Sequence, residues 1–118
     1  WEAVMFASHH QLDNLVAIVD FNNLQGLGYV KDVMDISPLV NKFSSFGWDT
    51  QEINGNNIKE IMDSLDKTSL QKGKPSLIVA NTIKGKGAIG LEDKLESHYE
   101  VLSKEKYHQI LRFLDSTG

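Results

Sequence analysis

Leu15-Val16-Ala17-Ile18-Val19-Asp20 runs directly into Phe21-Asn22-Asn23-Leu24-Gln25-Gly26. The first six residues are a short, nearly continuous apolar run, the pattern of a strand buried on both faces as in a parallel sheet. The run ends at a polar, glycine-bearing stretch, Asn22 to Gly28. A second run of the same kind, Ser76 to Thr82, follows the punctuation of Gly73 and Pro75. Two buried strands far apart in sequence, each ending in a polar loop, suggest α/β architecture.

The intervening segments supply the helices. Trp1, Val4, Met5 and Leu12 recur at helical spacing. Ser37-Pro38 puts a capping hydroxyl before a proline at the first helical position, ahead of Leu39, Val40, Phe43 and Phe46; Gly47 is placed to end that helix. Trp48 to Ile53 alternates like a strand near a sheet edge. Asn57 with Glu60 three places on forms a capping box, and Ile58, Ile61, Met62 and Leu65 continue as an amphipathic helix. Ser103 caps a last helix with Tyr107, Ile110, Leu111 and Leu114 on one face. Met5, Met34 and Met62 read as core filler. The order helix, strand, helix, strand, helix, strand, loop, helix predicts an open parallel sheet with helices on both faces. In such a sheet the ligand site lies beyond the carboxyl ends of the strands, where Asn22 to Gly28 and Ile83 to Gly90 are expected.

Bulk properties narrow the class. A chain of 118 residues suits one domain, with 41% hydrophobic and 24% charged residues close to globular averages. The net charge of −4, with lysines scattered among carboxylates, gives no basic stripe for a nucleic acid. No run approaches the roughly 20 apolar residues of a membrane span. The absence of cysteine excludes disulfides and thiolate metal sites and agrees with a cytoplasmic setting. The opening Trp1, already within a helical pattern and with nothing before it to cap the first N–H groups, reads as a cut end.

Three stretches carry chemistry. In Val19 to Gly26 an asparagine just past a strand offers a neutral amide oxygen, and a backbone carbonyl two residues on can point the same way. Such oxygens suit Mg²⁺, whose shell is completed by water and phosphate; equally, Asn22 and Asn23 can simply turn the chain by bonding their own backbone. Thr82-Ile83-Lys84-Gly85-Lys86-Gly87 combines glycines, which allow close approach of an anion, with compact positive charge. It lacks the spacing of a Walker loop, and a solvated glycine turn is its plain alternative. His98 lies in a polar loop beyond it. Adjacent His9 and His10 cannot form an i, i+4 zinc pair, and Glu92, Asp93 and Glu96 among lysines read as a solvated charged loop.

Taken in order, these stretches resemble the transketolase family of thiamine-diphosphate-dependent enzymes. Leu-Asp-Asn-Leu-Val-Ala-Ile-Val-Asp-Phe-Asn-Asn-Leu-Gln looks like the second half of the family's cofactor signature, whose first half begins Gly-Asp-Gly. The resemblance spans Trp1 to about Leu111 and identifies residues 1–118 as part of the diphosphate-binding domain, truncated at its start, or of a split enzyme's first subunit. It implies that Asn22 gives its side-chain oxygen and Leu24 its main-chain carbonyl to Mg²⁺, or to Ca²⁺ or Mn²⁺ in its place. It further implies that Lys84 lies near the cofactor, that Lys86 is structural or solvated, and that His98 binds cofactor and acts catalytically on the substrate. Where transketolases commonly carry His-Gly, this chain has His98-Tyr99.

The activity implied is transfer of a two-carbon ketol unit from a ketose to an aldose phosphate in a cytoplasmic enzyme of pentose phosphate metabolism. The implied partners are sugar phosphates and a pyrimidine-binding domain or subunit, in a homodimer or split-subunit assembly. The aspartate of Gly-Asp-Gly and the carboxylate that activates the cofactor are absent, so the chain alone is expected to be inactive. Deoxyxylulose-phosphate synthase or a ketoacid dehydrogenase shares the architecture. A binding module without enzymatic activity, its motifs ordinary turns, is the alternative of another class.

Overall fold

The computed structural model describes residues 1–26, 28–68 and 72–117; Leu27, within the Asn22 to Gly28 stretch, and the terminal Gly118 lie outside the described residues. The chain forms two compact units, Trp1–Phe21 with Ile36–Asn81 and Asn22–Asp35 with Thr82–Gly118.

The first unit is the expected parallel α/β layer. Helix α1 (Glu2–His9) leads to strand β1 (Val16–Phe21). Strands β2 (Leu24–Gln25) and β3 (Gly28–Tyr29) and the small helix α2 (Val30–Val33) belong to the second unit. The first unit resumes with α3 (Leu39–Ser45), β4 (Asp49–Asn54), α4 (Ile58–Thr68) and β5 (Ser76–Asn81). The sheet order is β1-β5-β4, all parallel, with Phe21 paired to Asn81 and Asn81 to Asn54. Central β5 is buried from Ser76 to Ala80 because it has a neighbour on each side and helices over each face. Leu77 and Val79 join Ala7, Leu39 and Trp48 in the core, with Ala17, Val19 and Phe21 of β1 against it. The opposite face meets α4, where Gln51 Nε2 donates to the Ser64 carbonyl at 3.1 Å.

The expectation for β1 needs correction. Its burial alternates, and Ile18 is 61% exposed, so it is covered on one face only. The apolar runs of β1 and β5 look alike in sequence, but β1 is at the edge, and α4 packs on β4. The alternating strand, β4, lies at the other edge as expected.

Helix ends follow local chemistry with one exception. Gly47, at φ 90°, closes α3: its N–H donates to the Ser44 carbonyl and that of Trp48 to the Phe43 carbonyl, the paired bonds of a left-handed helix stop. A Cβ there would also lie 2.7 Å from Ser8 Oγ. Asn57 Oδ1 accepts from the N–H groups of Lys59 and Glu60, and the Glu60 carboxylate reaches back to the Asn54 N–H, so the predicted box forms one turn wider than usual. Ser103 Oγ accepts from the Lys106 N–H at the start of α5 (Lys104–Thr117). The exception is α3, whose cap position belongs to Pro38 rather than Ser37. Pro38 has extended backbone, and its carbonyl already accepts the Lys42 N–H.

The inward face of α4 also differs from expectation. Ser64 and Thr68 are buried, whereas Ile58, Met62 and Leu65 are exposed. The two hydroxyls donate to the Ile61 and Leu65 carbonyls of their own helix, so small polar residues can face the sheet without an unpaired O–H. Met5 and Met34 are exposed as well, so none of the three methionines fills the core.

The second unit contains the β2–β3 hairpin, which has no period readable over two-residue strands, then α2, a 3₁₀ turn (Leu95–His98) and α5. Val30 and Ile110 are buried in it; Tyr107, Leu111 and Leu114, predicted to share the covered face of α5, are each more than a third exposed.

Leu77→Ala should destabilise the chain by about 2–5 kcal/mol through lost burial and a residual cavity, whereas Ile18→Ala should cost no more than about 0.5 kcal/mol at its exposed site. Urea denaturation of both variants tests the assignment of centre and edge.

Candidate functional site

The second unit consists of the two segments that continue from Phe21 and Asn81, the paired last residues of neighbouring strands. Within it, a cavity of about 140 Å³ is lined by Asn22, Leu24, Gln25, Gly26, Lys84, Leu95 and His98. The four residues singled out from sequence, Asn22, Leu24, Lys84 and His98, therefore share one cavity. At this size it suits one end of a ligand, since complete small-molecule sites span about 300–1,000 Å³. A second cavity of about 250 Å³ in the first unit, between β-strand ends and α3, contains none of them.

The Asn22 segment is shaped by its own side chain. Asn22 Oδ1 accepts the Leu24 N–H at 3.0 Å, the bond of an asparagine turn, and Asn23 takes φ 61°, a conformation asparagine tolerates well. The turn and the ligand readings are thus compatible: the amide oxygen has a second lone pair, and the turn holds it at the cavity. The hairpin is held further by Gln25 Nε2 donating to the Met34 carbonyl at 2.8 Å and by the Val30 N–H donating to the Asn23 carbonyl at 2.9 Å.

The glycine loop is shaped by its own backbone bonds. Gly85 and Gly87 have φ 71° and 85°, and added Cβ atoms would press on the Leu91 carbonyl at 3.2 Å and on Leu114 at 3.1 Å. Both positions therefore need glycine for the turn itself. The Lys86 N–H donates to the Ile83 carbonyl, that of Ala88 to the Gly85 carbonyl, and that of Gly87 to Glu92 Oε1 at 2.8 Å. These amides have partners inside the loop, so positive charge at the cavity comes from the half-buried Lys84. Lys86 is exposed and 3.5 Å from Glu92, in keeping with a structural role. Glu92, grouped by sequence with solvated charges, is the residue whose role was missed; its place five residues beyond Gly87 gives no sequence signal of the contact.

Lys84 Nζ lies 3.4 Å from His98 Nδ1. The ammonium donates there when the imidazole proton is on Nε2, leaving that nitrogen for a ligand. No carboxylate lines the cavity among the described residues, nor do three or more His, Cys, Asp or Glu side chains gather anywhere to hold a metal. A bare divalent cation would meet neutral oxygens and a neighbouring ammonium, which is unfavourable. A cation that arrives with its own polyanion fits this donor set, because the anion engages Lys84 while amide and carbonyl oxygens complete the metal shell.

Known proteins resemble the chain over most of its length. Residues 1–114 match the family model for the transketolase thiamine diphosphate binding domain. The chain is 42% identical, over all of its length, to 43% of a 6-deoxy-6-sulfo-D-fructose transketolase subunit from Clostridium sp. (strain MSTE9). It is 41% identical, over 86% of its length, to 36% of an apulose-4-phosphate transketolase subunit from Actinobacillus succinogenes. The crystal structure of Campylobacter jejuni transketolase superposes with a TM-score of 0.88 at 32% identity, over 97% of this chain and 18% of that one. The chain thus spans less than half the length of these relatives. No helix among the described residues is long and apolar enough to cross a membrane.

The Gly87 N–H, and secondarily Lys86, hold the Glu92 carboxyl below its ordinary range against a smaller opposing effect of desolvation. A lowered folded-state value means that the contact stabilises the loop fully above the ordinary glutamate pKa of about 4.3 and is lost as pH falls through the lower folded value. The Gly87 amide resonance should titrate with a midpoint below about 4.3, and Glu92→Gln should abolish that titration; both are read by NMR.

Proposed function

The chain belongs to the transketolase family, in its thiamine diphosphate binding domain, and on that premise we propose that Asn22, Leu24, Lys84 and His98 bind the diphosphate end of thiamine diphosphate together with Mg²⁺. The observation that carries this reading is the convergence of all four residues on one cavity. Asn22 contributes its amide oxygen and Leu24 its main-chain carbonyl to the metal; Lys84 neutralises diphosphate charge. Thiamine diphosphate supplies, when bound, a thiazolium carbon that is both nucleophile and electron sink. His98, exposed at the cavity and with Nδ1 facing Lys84, orients Nε2 toward a sugar hydroxyl or carbonyl and exchanges a proton there.

The whole protein's reaction is the transfer of a two-carbon ketol unit from a ketose to an aldose phosphate. Two relatives are named as transketolase subunits, which favours a split or multi-subunit assembly, including a homodimer, in which a pyrimidine-binding domain supplies the cofactor-activating carboxylate. Residues 1–118 are then part of the diphosphate-binding domain, working in the cytoplasm on pentose-phosphate-type sugars.

Isothermal titration of the assembled protein with thiamine diphosphate should show Mg²⁺-dependent binding that Asn22→Ala weakens at least tenfold; equal affinity in the variant overturns the metal assignment. His98→Ala should lower kcat/KM by about 10²-fold or more, as for loss of a group that moves a proton, and should weaken cofactor binding less than Asn22→Ala does. Steady-state kinetics beside the same titration separates the two effects.

A further inference from the structure

The Tyr99 side chain touches lining residues from both segments of the cavity wall, Gly26 and His98. Its backbone is fixed at the end of the 3₁₀ turn, where its N–H donates to the Glu96 carbonyl at 2.9 Å. From there the phenol hydroxyl donates to the carbonyl of Gly26, a lining residue of the asparagine hairpin. The Tyr99 ring meets the His98 ring edge to face, with centroids 4.7 Å apart and planes at 89°. Two further bonds of the hairpin join residues within its own segment, Gln25 to Met34 and Val30 to Asn23. The Tyr99 hydroxyl ties it across 73 positions of sequence to the segment that carries His98.

We propose that Tyr99 is a positioning residue of the diphosphate site, its hydroxyl tethering the metal-binding hairpin through Gly26 and its ring setting the orientation of the His98 imidazole. Two physical arguments support it. His98 is exposed, and an exposed imidazole rotates freely about two side-chain bonds unless contacts select a rotamer. Here the Lys84 ammonium fixes one nitrogen and the Tyr99 ring closes one side. An edge-to-face contact favours one geometry through the quadrupole of the tyrosine ring. The hairpin, in turn, has strands of only two residues and gains little from its own ladder, so a link from outside its segment restricts it disproportionately.

The inference rests on the site reading above, and two measurements keep them separable. In the assembled protein, Tyr99→Phe keeps the ring and removes the hydroxyl; Tyr99→Leu removes both. Thiamine diphosphate affinity in Mg²⁺ should fall about three- to tenfold in Tyr99→Phe, the worth of one ordinary hydrogen bond, and further in Tyr99→Leu. The His98 ring-proton resonances, recorded without cofactor, should hold their positions in Tyr99→Phe and move in Tyr99→Leu as the ring-current contribution is lost. Unchanged affinity in Tyr99→Phe overturns the tether. His98 resonances that stay in place in Tyr99→Leu overturn the orienting role. Absence of Mg²⁺-dependent cofactor binding in the unsubstituted protein overturns the site reading instead, and the His98 resonances still decide whether Tyr99 orients that ring.

Discussion

Strand β5 is the constraint on which the first unit depends. Its six residues pair with β1 on one side and β4 on the other, and Leu77, its second residue, is fully buried. A slip of one residue would turn Leu77 and Val79 away from Ala7, Leu39 and Trp48, so register and core are the same condition. That register also aligns Phe21 with Asn81. The segments that begin at Asn22 and Thr82 therefore continue from strand ends held side by side by hydrophobic packing.

The cavity in the second unit carries little charge. Its lining offers the Asn22 amide and peptide groups, and its cation among the described residues is one lysine. The positive φ of Gly85 and Gly87 lets the loop turn back on itself, with the Gly87 N–H engaged by Glu92. Lysine is suited to this arrangement because its ammonium is a compact charge on a flexible stem and needs no fixed fork of acceptors. With no lining carboxylate among the described residues, a metal would enter this cavity most readily together with an anion that Lys84 could engage.

Helix α4 shows a different solution to packing from the amphipathic rule. Close approach of helix and strand is achieved with Ser64 and Thr68, whose hydroxyls are satisfied within the helix, and Gln51 bonds the helix backbone directly. Ile58, Met62 and Leu65 are left outward. A small residue at the contact permits a short interaxial distance, and a self-satisfied hydroxyl avoids the desolvation cost that usually keeps serine out of a core.

The residues alone determined the parallel α/β class, because runs such as Val16–Val19 and Leu77–Ala80 and the helical spacing between them encode local geometry in their periodicity. The order of donor groups along the chain also singled out Asn22, Leu24, Lys84 and His98, and the fold brings all four to one cavity. Glycine positions and the caps at Asn57 and Ser103 were equally legible, being set within three or four residues. Tertiary structure decided what depends on neighbours distant in sequence: that β5 is central and β1 an edge, that α4 turns its serine inward, that Glu92 holds the glycine loop, and that Tyr99 reaches Gly26. Local sequence patterns record what a segment can bury or bond, whereas the choice of what it does bury or bond is made by the packing of the whole.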